Sequence, residues 1–332
     1  MKKKIFITGA SGFVGSHLVE AAQKLGLEVH ASIRKQSVIT EIQPFVDKFV
    51  YPNLGDYEEL KTLFEKNQYH YIIHAAALTK AKNTLDFHKV NVKHTETIMQ
   101  AGFSAQMPLE RITFVSSLAA IGSIDYNNPH LINESFPYNP HTMYGKSKME
   151  AELMIRQKFS NHPISVFRPT AVYGPREKDI FILFNTLNKG FEPYIGRKPQ
   201  KLSFIYVKDL VDVLLKGCVT PQEGLQFYNI SDGEVYSRYD MADVFKSIMR
   251  KKLFRMHIPY GIVKAFAEIS RSIYKPLSKT PVIYPERLQE LTAENWSCDI
   301  TLAKKTLGFN PQFLLQEGLE ESLLWYKDNN WL

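Results

Sequence analysis

The sequence predicts an α/β protein with a doubly wound parallel sheet, followed by a smaller, discontinuous C-terminal domain. In the first half, apolar strand-like runs alternate with helical patterns, which is typical of a parallel sheet with helices on both faces. A glycine-rich turn follows the first run. Runs such as YIIHAAA also lack polar alternation, as expected for strands that are buried on both faces.

Six strands are predicted before residue 175, in the order KIFITGA, EVHASIR, KFVYPN, YHYIIHAAAL, RITFVSSLA and ISVFRPT. The first helix should bury a stripe of four residues, Val14, Leu18, Ala21 and Leu25, and end at Gly26. Further helices are predicted at 57–67, 84–103 and 142–160. The segments FIYVKDLVDVLLKGC and LQFYNISDG are expected to return to the sheet as a helix and a strand.

This pattern divides the chain into two domains, in line with its length of 332 residues. Residues 1–174 and 203–231 are assigned to the sheet domain, and residues 175–202 and 232–332 to a substrate domain. The composition, with 44% hydrophobic and 23% charged residues, is that of an ordinary globular protein.

The two cysteines, Cys218 and Cys298, are far apart and do not have the spacing of metal ligands. This usage suits a reducing compartment. The apolar run after the N-terminal lysines is too short for an export signal, and no run approaches the length of a membrane span. We therefore expect a cytoplasmic protein.

The net charge of +7 is concentrated between Arg250 and Arg287, where nine basic and two acidic residues account for the whole excess. No nucleic-acid-binding module is visible, so we expect no nucleic-acid partner. A solvated cationic helix face is the favoured interpretation of the segment. Peripheral association of 250–287 with an anion or a membrane surface is the alternative.

The glycine-rich turn TGASGFVGSH places Gly9, Gly12 and Gly15 between the first strand and the first helix. A pyrophosphate at a helix N-terminus needs bare backbone amides, and close packing of helix and strand needs a glycine. The context therefore predicts a dinucleotide cofactor and a fold of the Rossmann type.

The end of the second strand favours NADP(H) over NAD(H). An acidic residue at this place binds the ribose 2′-hydroxyl of NAD, whereas an arginine accommodates the 2′-phosphate of NADP. Here the acid is replaced by Ile33, which is followed by Arg34 and Lys35. Arg34 is the expected phosphate contact.

The stretch YGKSK has two interpretations. As the end of a phosphate-binding loop it would need an earlier glycine where this chain has Pro140, which lacks an amide hydrogen. As a catalytic pair, Tyr144 and Lys148 share a helix face, and the lysine charge would lower the pKa of the phenol. Ser116 and Ser117 end the fifth strand, where parallel sheets bind ligands. The catalytic interpretation is favoured.

Together these motifs resemble the extended short-chain dehydrogenases/reductases, which include nucleotide-sugar epimerases, dihydroflavonol-type reductases and 3β-hydroxysteroid-type dehydrogenases. The resemblance covers nearly the whole chain. It implies the catalytic residues Ser117, Tyr144 and Lys148. It also implies cofactor contacts from Thr8, Gly9, Ser11, Gly12, Phe13, Val14, Gly15, Arg34, Asn53, Leu54, Ala75, Ala76, Ala77, Asn91, Ser116, Tyr144, Lys148, Pro169 and Val172. The chain departs from the family at Asn53, where Asp is more common, and at His94, where Gly is common.

The resemblance implies hydride transfer with Tyr144 as acid and base, and the substrate decides among three outcomes. Dehydration is disfavoured because Leu118 and Ala119 stand where dehydratases carry Asp-Glu. Nucleotide-sugar epimerases commonly hold the diphosphate with an arginine where this chain has Leu202, next to Lys201. We therefore expect a carbonyl reductase or alcohol dehydrogenase for a non-nucleotide, apolar substrate. A nucleotide-sugar 4-epimerase and a non-catalytic NADP-binding regulatory protein are the alternatives.

Two further expectations concern surfaces. The apolar stripe Ile262, Phe266, Ile269 and Ile273 is predicted to pack into the core, and part of it could roof an apolar pocket. By resemblance to the family, the helices predicted at 84–103 and 142–160 should build a homodimer.

Overall fold

The computed structural model describes residues 2–81, 83–274 and 284–332. Its strands are β1 (Lys4–Thr8), β2 (Glu28–Ser32), β3 (Lys48–Val50), β4 (Tyr71–His74), β5 (Arg111–Val115), β6 (Ile164–Pro169), β7 (Ala171–Tyr173), β8 (Phe191–Ile195), β9 (Lys201–Leu202), β10 (Phe204–Tyr206), β11 (Leu225–Ile230), β12 (Tyr236–Ser237) and β13 (Phe254–Ile258).

The helices are α1 (Phe13–Lys24), α2 (Tyr57–Asn67), α3 (Thr84–Phe87), α4 (His94–Ser104), α5 (Met143–Phe159), α6 (Phe181–Asn188), α7 (Val207–Val219), α8 (Asp240–Met249), α9 (Tyr260–Tyr274), α10 (Pro285–Thr292), α11 (Thr301–Leu307) and α12 (Leu315–Asp328). Within the part of the chain that the structure describes, no helix combines the length and apolar character needed to cross a bilayer.

Seven strands form one parallel sheet in the order β3-β2-β1-β4-β5-β6-β11. The predicted Rossmann-type α/β fold is thereby confirmed. The order reverses between β1 and β4, and Thr8 pairs with His74 at the carboxyl ends of these two strands. Ligands of open parallel sheets bind outside such a reversal, so the topology locates the cleft before any side chain is considered.

Alternate residues of the strands fill two hydrophobic cores, one on each face of the sheet. Ile5 and Ile7 of β1 belong to the core that also contains residues of α1, α7 and α12. Phe6 belongs to the other core, with residues of α2, α4 and α5. Because successive side chains of a strand point to opposite faces, the uninterrupted apolar run of β1 serves both layers.

The segments 175–202 and 232–332 contribute helices and short strands outside the main sheet. Three two-stranded sheets pair β7 with β10, β9 with β12, and β8 with β13. One core cluster includes residues from both predicted domains, among them Phe184 and Leu319 beside Ile5. The division into two domains stays a prediction, and any boundary would pass through packed side chains.

Several elements differ from their predicted form. The helix predicted at 84–103 consists of α3 and α4 joined by a π-helical turn, His88–Lys93. In α1 the buried stripe includes Leu18, Val19 and Ala22, and the expectation that Leu25 is buried is wrong because it is 54% exposed. The helix does end before Gly26, whose φ is +82°.

Candidate active site

The glycine turn brings β1, α1 and the end of β4 into close contact. A Cβ atom on Gly9 would lie 2.8 Å from the backbone nitrogen of Ala76, and one on Gly15 would lie 2.0 Å from the carbonyl oxygen of Gly9. Gly9 also has a φ of +70°, which side chains disfavour. The requirement for glycine at both positions is therefore steric.

The N-terminus of α1 has the chemistry of an anion site. The backbone amides of Phe13, Val14 and Gly15 make no backbone hydrogen bond within the described residues. Gly12 at the N-cap provides no capping side chain. The positive end of the helix dipole and three free donors at one place fit a pyrophosphate, so the residues present fit a dinucleotide.

A chain of buried hydrogen bonds connects this turn to α4. Thr8 Oγ1 accepts from the Ala76 amide at 3.1 Å and lies 2.7 Å from His74 Nδ1. His74 Nε2 lies 3.0 Å from Thr95 Oγ1, which donates to the Asn91 carbonyl at 2.7 Å. Burial is the main cause that lowers the pKa of His74 to about 3. The ring is therefore neutral, and the chain of bonds is consistent with Thr8 donating to Nδ1 and Nε2 donating to Thr95.

Asn91 extends the chain to the catalytic helix. Its Oδ1 accepts from the Leu78 amide at 2.8 Å, and its Nδ2 donates to the Leu78 carbonyl at 2.9 Å and to Ser147 Oγ at 2.8 Å. Ser147 Oγ donates in turn to the Tyr144 carbonyl at 2.7 Å. Asn91 lies in the π-helical turn, a geometry that is rare and often found at functional sites.

Helix α5 places Tyr144 and Lys148 on one face beside the end of β5. Thr142 caps the helix by accepting from the Gly145 amide at 3.0 Å. A Cβ atom on Gly145 would lie 2.4 Å from the Ala119 carbonyl oxygen. The glycine of YGKSK is therefore needed for close packing of α5 onto the segment after β5.

The surroundings of Tyr144 and Lys148 shift both groups toward their neutral forms. Burial lowers the pKa of Lys148 to about 7, although Glu152 opposes this shift. Its Nζ donates to the Val115 carbonyl at 2.7 Å and lies 6.0 Å from the centroid of the Tyr144 ring. Burial raises the pKa of Tyr144 to about 12, the Ser117 hydroxyl lowers it, and the Glu290 carboxylate adds to the increase.

A buried ion pair supports the end of β5 from behind. Arg168 Nη2 lies 2.6 Å from Glu152 Oε2, and both side chains are fully buried. Ser116 Oγ donates to Glu152 Oε1 at 2.5 Å, and the Tyr138 hydroxyl donates to Oε2 at 2.7 Å. This network connects β5, α5 and β6 behind the catalytic face, and its partners satisfy the buried charges.

Most of the predicted site residues line one cleft of about 840 Å³. They are Gly9, Ser11, Gly12, Phe13, Val14, Gly15, Ala75, Ala77, Ser116, Ser117, Tyr144, Lys148, Pro169 and Val172. The other predicted residues lie outside this lining. Thr8, Ala76 and Asn91 belong to the hydrogen-bond chain, and Asn53 and Leu54 precede α2. Arg34 is exposed directly after β2.

The structure adds a basic group that the sequence analysis missed. Arg176 lines the cleft next to the glycine turn. Its Nη1 donates to Ser16 Oγ at 3.0 Å, and its Nε lies 3.5 Å from a Glu41 carboxylate oxygen. Glu41 also lines the cleft. Only its position directly after RPTAVYGP could have drawn attention to Arg176.

The cleft is also lined by a group of charged side chains. Lys80 Nζ lies 2.5 Å from Asp179 Oδ1, and Glu177 and Lys178 also line the cleft. Lys80 lies far in the sequence from the consecutive residues Glu177, Lys178 and Asp179, and the four residues match no motif. The predicted apolar roof is wrong for the residues that the structure describes, because Ile262, Phe266 and Ile269 are 58–62% exposed. The Ile273 side chain lies outside the described residues.

Comparison with known proteins gives the family of the chain and agrees with its fold. The sequence model of the NAD dependent epimerase/dehydratase family matches residues 5–236. Ceramide reductase of Caulobacter vibrioides is 26% identical, with 99% of this chain and 96% of the relative covered. N-acetyl-alpha-D-glucosaminyl-diphospho-ditrans,octacis-undecaprenol 4-epimerase of Escherichia coli O157:H7 is 24% identical, with 97% and 95% covered. The crystal structure of Thermotoga maritima UDP-glucose 4-epimerase with UDP-glucose has the same fold, with a TM-score of 0.78, 19% identity, and 98% and 99% covered.

Proposed function

Because the chain belongs to the NAD dependent epimerase/dehydratase family, we propose that this enzyme reduces a ketone or aldehyde, or oxidises the alcohol, of a non-nucleotide substrate with a large apolar part. The observation that carries the proposal is the convergence of Ser117, Tyr144 and Lys148 on the cleft that the glycine turn also lines. A bound nicotinamide dinucleotide would supply or accept the hydride.

The protein side chains would handle the proton and the substrate oxygen. Tyr144 would donate a proton to the oxygen in reduction and remove it in oxidation, and the Ser117 hydroxyl would hold that oxygen. Lys148 would act as the ammonium ion, because a cation near the ring stabilises the phenolate. Ser116 has no free role in this scheme, since its hydroxyl is bound to Glu152.

A non-nucleotide substrate is supported by the position where a diphosphate-binding arginine would be expected. Leu202 occupies it and pairs with Tyr236 in a short sheet. The neighbouring Lys201 donates to the Tyr126 carbonyl at 2.9 Å, so its ammonium group already has a partner. The similarity to ceramide reductase supports an apolar substrate.

A 4-epimerase of sugar diphosphates is the second candidate. Lys178 lines the cleft and could face a diphosphate, whereas Lys80 is already paired with Asp179. The similarity to the undecaprenol-linked epimerase favours the same candidate. In an epimerase the cofactor is recycled within each turnover, so net cofactor oxidation separates the two functions.

The deciding experiment follows nicotinamide absorbance while the enzyme is supplied with two panels. One contains long-chain and alicyclic ketones, and the other contains UDP-, GDP- and dTDP-sugars. Net oxidation of the reduced cofactor with a ketone supports the reductase. Conversion of a sugar nucleotide without net oxidation, seen by chromatography, overturns it in favour of the epimerase.

We also propose NADP(H) as the preferred cofactor. Arg34 and Lys35 are exposed directly after β2, where a 2′-phosphate would lie.

A homodimer through α3, α4 and α5 is proposed as well. Leu85 and Leu153 are 77% and 44% exposed on these helices, and a monomer in light scattering at micromolar concentration would contradict the dimer. A cytoplasmic location is also proposed. Both cysteines are free and buried, which supports this location.

A further inference from the structure

Helix α9 exposes large apolar side chains and buries small ones. Val263 and Ala267 are buried against Leu288 of α10, together with Ile195 and Ile258. Ile262, Phe266 and Ile269 are 62%, 58% and 58% exposed. The spacing of these three residues places them on a single helix face, which we call the α9 apolar face.

The small sheet under α9 continues this apolar character. Ile258 packs with α9, and residues two and four positions earlier in β13 share its side of the sheet. That side carries Phe254, which pairs in register with Phe191 of β8. The two phenylalanines are 65% and 51% exposed.

The same region holds the positive charge of the protein. The segment 250–287 carries a net +7, equal to the charge of the whole chain. Arg255 is neutralised by Glu192 and Asp243. Arg250, Lys252 and Lys264 are exposed and form no ion pair among the described residues. Exposed apolar side chains beside unpaired cations are the features of an interfacial helix on an anionic bilayer.

Helix α9 is connected to the catalytic residues through α10. Helix α10 packs against α9 through Leu288, and its Glu290 is near enough to Tyr144 to contribute to the rise in the pKa of that phenol. One helix therefore separates α9 from the catalytic residues, and packed helix axes are about 8–10 Å apart.

We propose that the α9 apolar face docks the enzyme onto the surface of an anionic lipid bilayer. A second copy of the chain would also cover apolar side chains, but it would bring the exposed cations Arg250, Lys252 and Lys264 toward their own copies, and like charges repel. An anionic surface matches both the charge and the apolar face. The proposal concerns binding to membranes and does not depend on the reaction proposed above.

The test measures co-sedimentation of the full chain with vesicles of phosphatidylcholine containing about one quarter phosphatidylglycerol. The chain offers a matched pair of variants, because Phe266 on α9 and Leu324 on α12 are 58% and 59% exposed. Phe266→Glu should weaken vesicle binding about ten- to a hundredfold, since it removes one inserted aromatic side chain. Leu324→Glu should bind like the unmodified protein.

Thermal melting of both variants in the absence of lipid checks that they are folded, and turnover is not needed at any point. Binding should also fall on neutral vesicles and in about 0.5 M salt, where surface charges are screened. The proposal is overturned if the unmodified protein does not bind the anionic vesicles, or if the two variants bind equally. If Phe266→Glu abolishes self-association in light scattering but leaves vesicle binding unchanged, the α9 apolar face binds a second copy of the chain. That result would also overturn the proposal.

Discussion

The cofactor half of the cleft and the α9 region place polar and apolar side chains in opposite ways. Around the glycine turn, polar side chains such as Thr8, His74 and Asn91 are buried and joined by hydrogen bonds. Around α9, apolar side chains such as Ile262 and Phe266 face solvent. The first arrangement holds atoms in fixed positions, as reaction geometry requires. The second arrangement leaves an exposed apolar surface of the kind that binds another molecule or a membrane.

The largest effect in the cofactor half is expected from removing one atom, the hydroxyl oxygen of Tyr144. Tyr144→Phe should lower kcat by roughly a thousandfold, because the phenol oxygen is the proposed proton donor. Cofactor affinity should change less than about twofold, since the aromatic ring remains in place. Turnover and a fluorescence titration of the cofactor measure the two effects. An active variant contradicts the role of Tyr144.

One added methyl group should have opposite effects in the two regions. Gly15→Ala should destabilise the protein by about 3 kcal/mol or more, because the new Cβ would lie 2.0 Å from the Gly9 oxygen. Gly261→Ala in α9 meets nothing within 4 Å and should stabilise by about 0.5 kcal/mol through helix propensity. Urea unfolding of both variants gives the comparison. Equal effects would mean that the two backbones are equally tolerant.

The buried lysine should make the cofactor half less stable than its packing suggests. The folded pKa of Lys148 is about 7, against an ordinary 10.5, so the folded state binds fewer protons than the unfolded state between these values. Stability therefore rises with pH across this window, by up to about 1.4 kcal/mol per pH unit. Below about pH 7, Lys148 is protonated in both the folded and the unfolded state, so the cost of burying its charge reduces the stability of the folded state in full.

Lys148→Met should accordingly stabilise the cofactor-free protein by about 2 to 4 kcal/mol near pH 6. Its advantage should shrink steadily as the pH approaches 9, while turnover is lost at every pH. Unfolding in denaturant at several pH values tests this trend. A difference that does not vary with pH would assign the effect to packing.

A modest effect on cofactor binding is expected where the cofactor half is exposed like α9. Arg34→Ala should reduce the preference for NADPH over NADH by about tenfold, the value of one charge-assisted contact in partly solvated surroundings. Titrations of the unmodified protein and of the variant with both cofactors measure these affinities. Equal affinities of the unmodified protein for NADPH and NADH would contradict the proposed cofactor preference.

The sheet and the glycine turn were predictable because local sequence and topology coincide there. A buried strand followed by Gly9, Gly12 and Gly15 predicts both the fold and the anion site. Glu290 was not predictable, because it comes near Tyr144 from a segment far along the chain. Arg176 lines the cleft and directly follows RPTAVYGP, but it belongs to no motif. Their placement depends on tertiary packing that no local pattern encodes.

The periodicity of α9 was recognised, but the buried face was assigned wrongly. Ile262, Phe266 and Ile269 form an apolar stripe, and so do Val263 and Ala267. An apolar stripe predicts that one helix face is buried, but it does not identify the element that packs against this face. The structure covers the smaller residues, Val263 and Ala267, with α10 and leaves the larger ones exposed. Composition would have favoured the opposite choice.

The π-helical turn at His88–Lys93 divides one long helix into two units with separate rotational phases. A single residue in excess of the α-helical repeat rotates the helix before the turn by about 100° relative to the helix after it. Leu85 on the outer surface and Thr95 on the cofactor side are therefore not tied to one periodicity. The surface of α3 could change its partner through substitutions or small insertions while Asn91 and the residues after it keep their orientation.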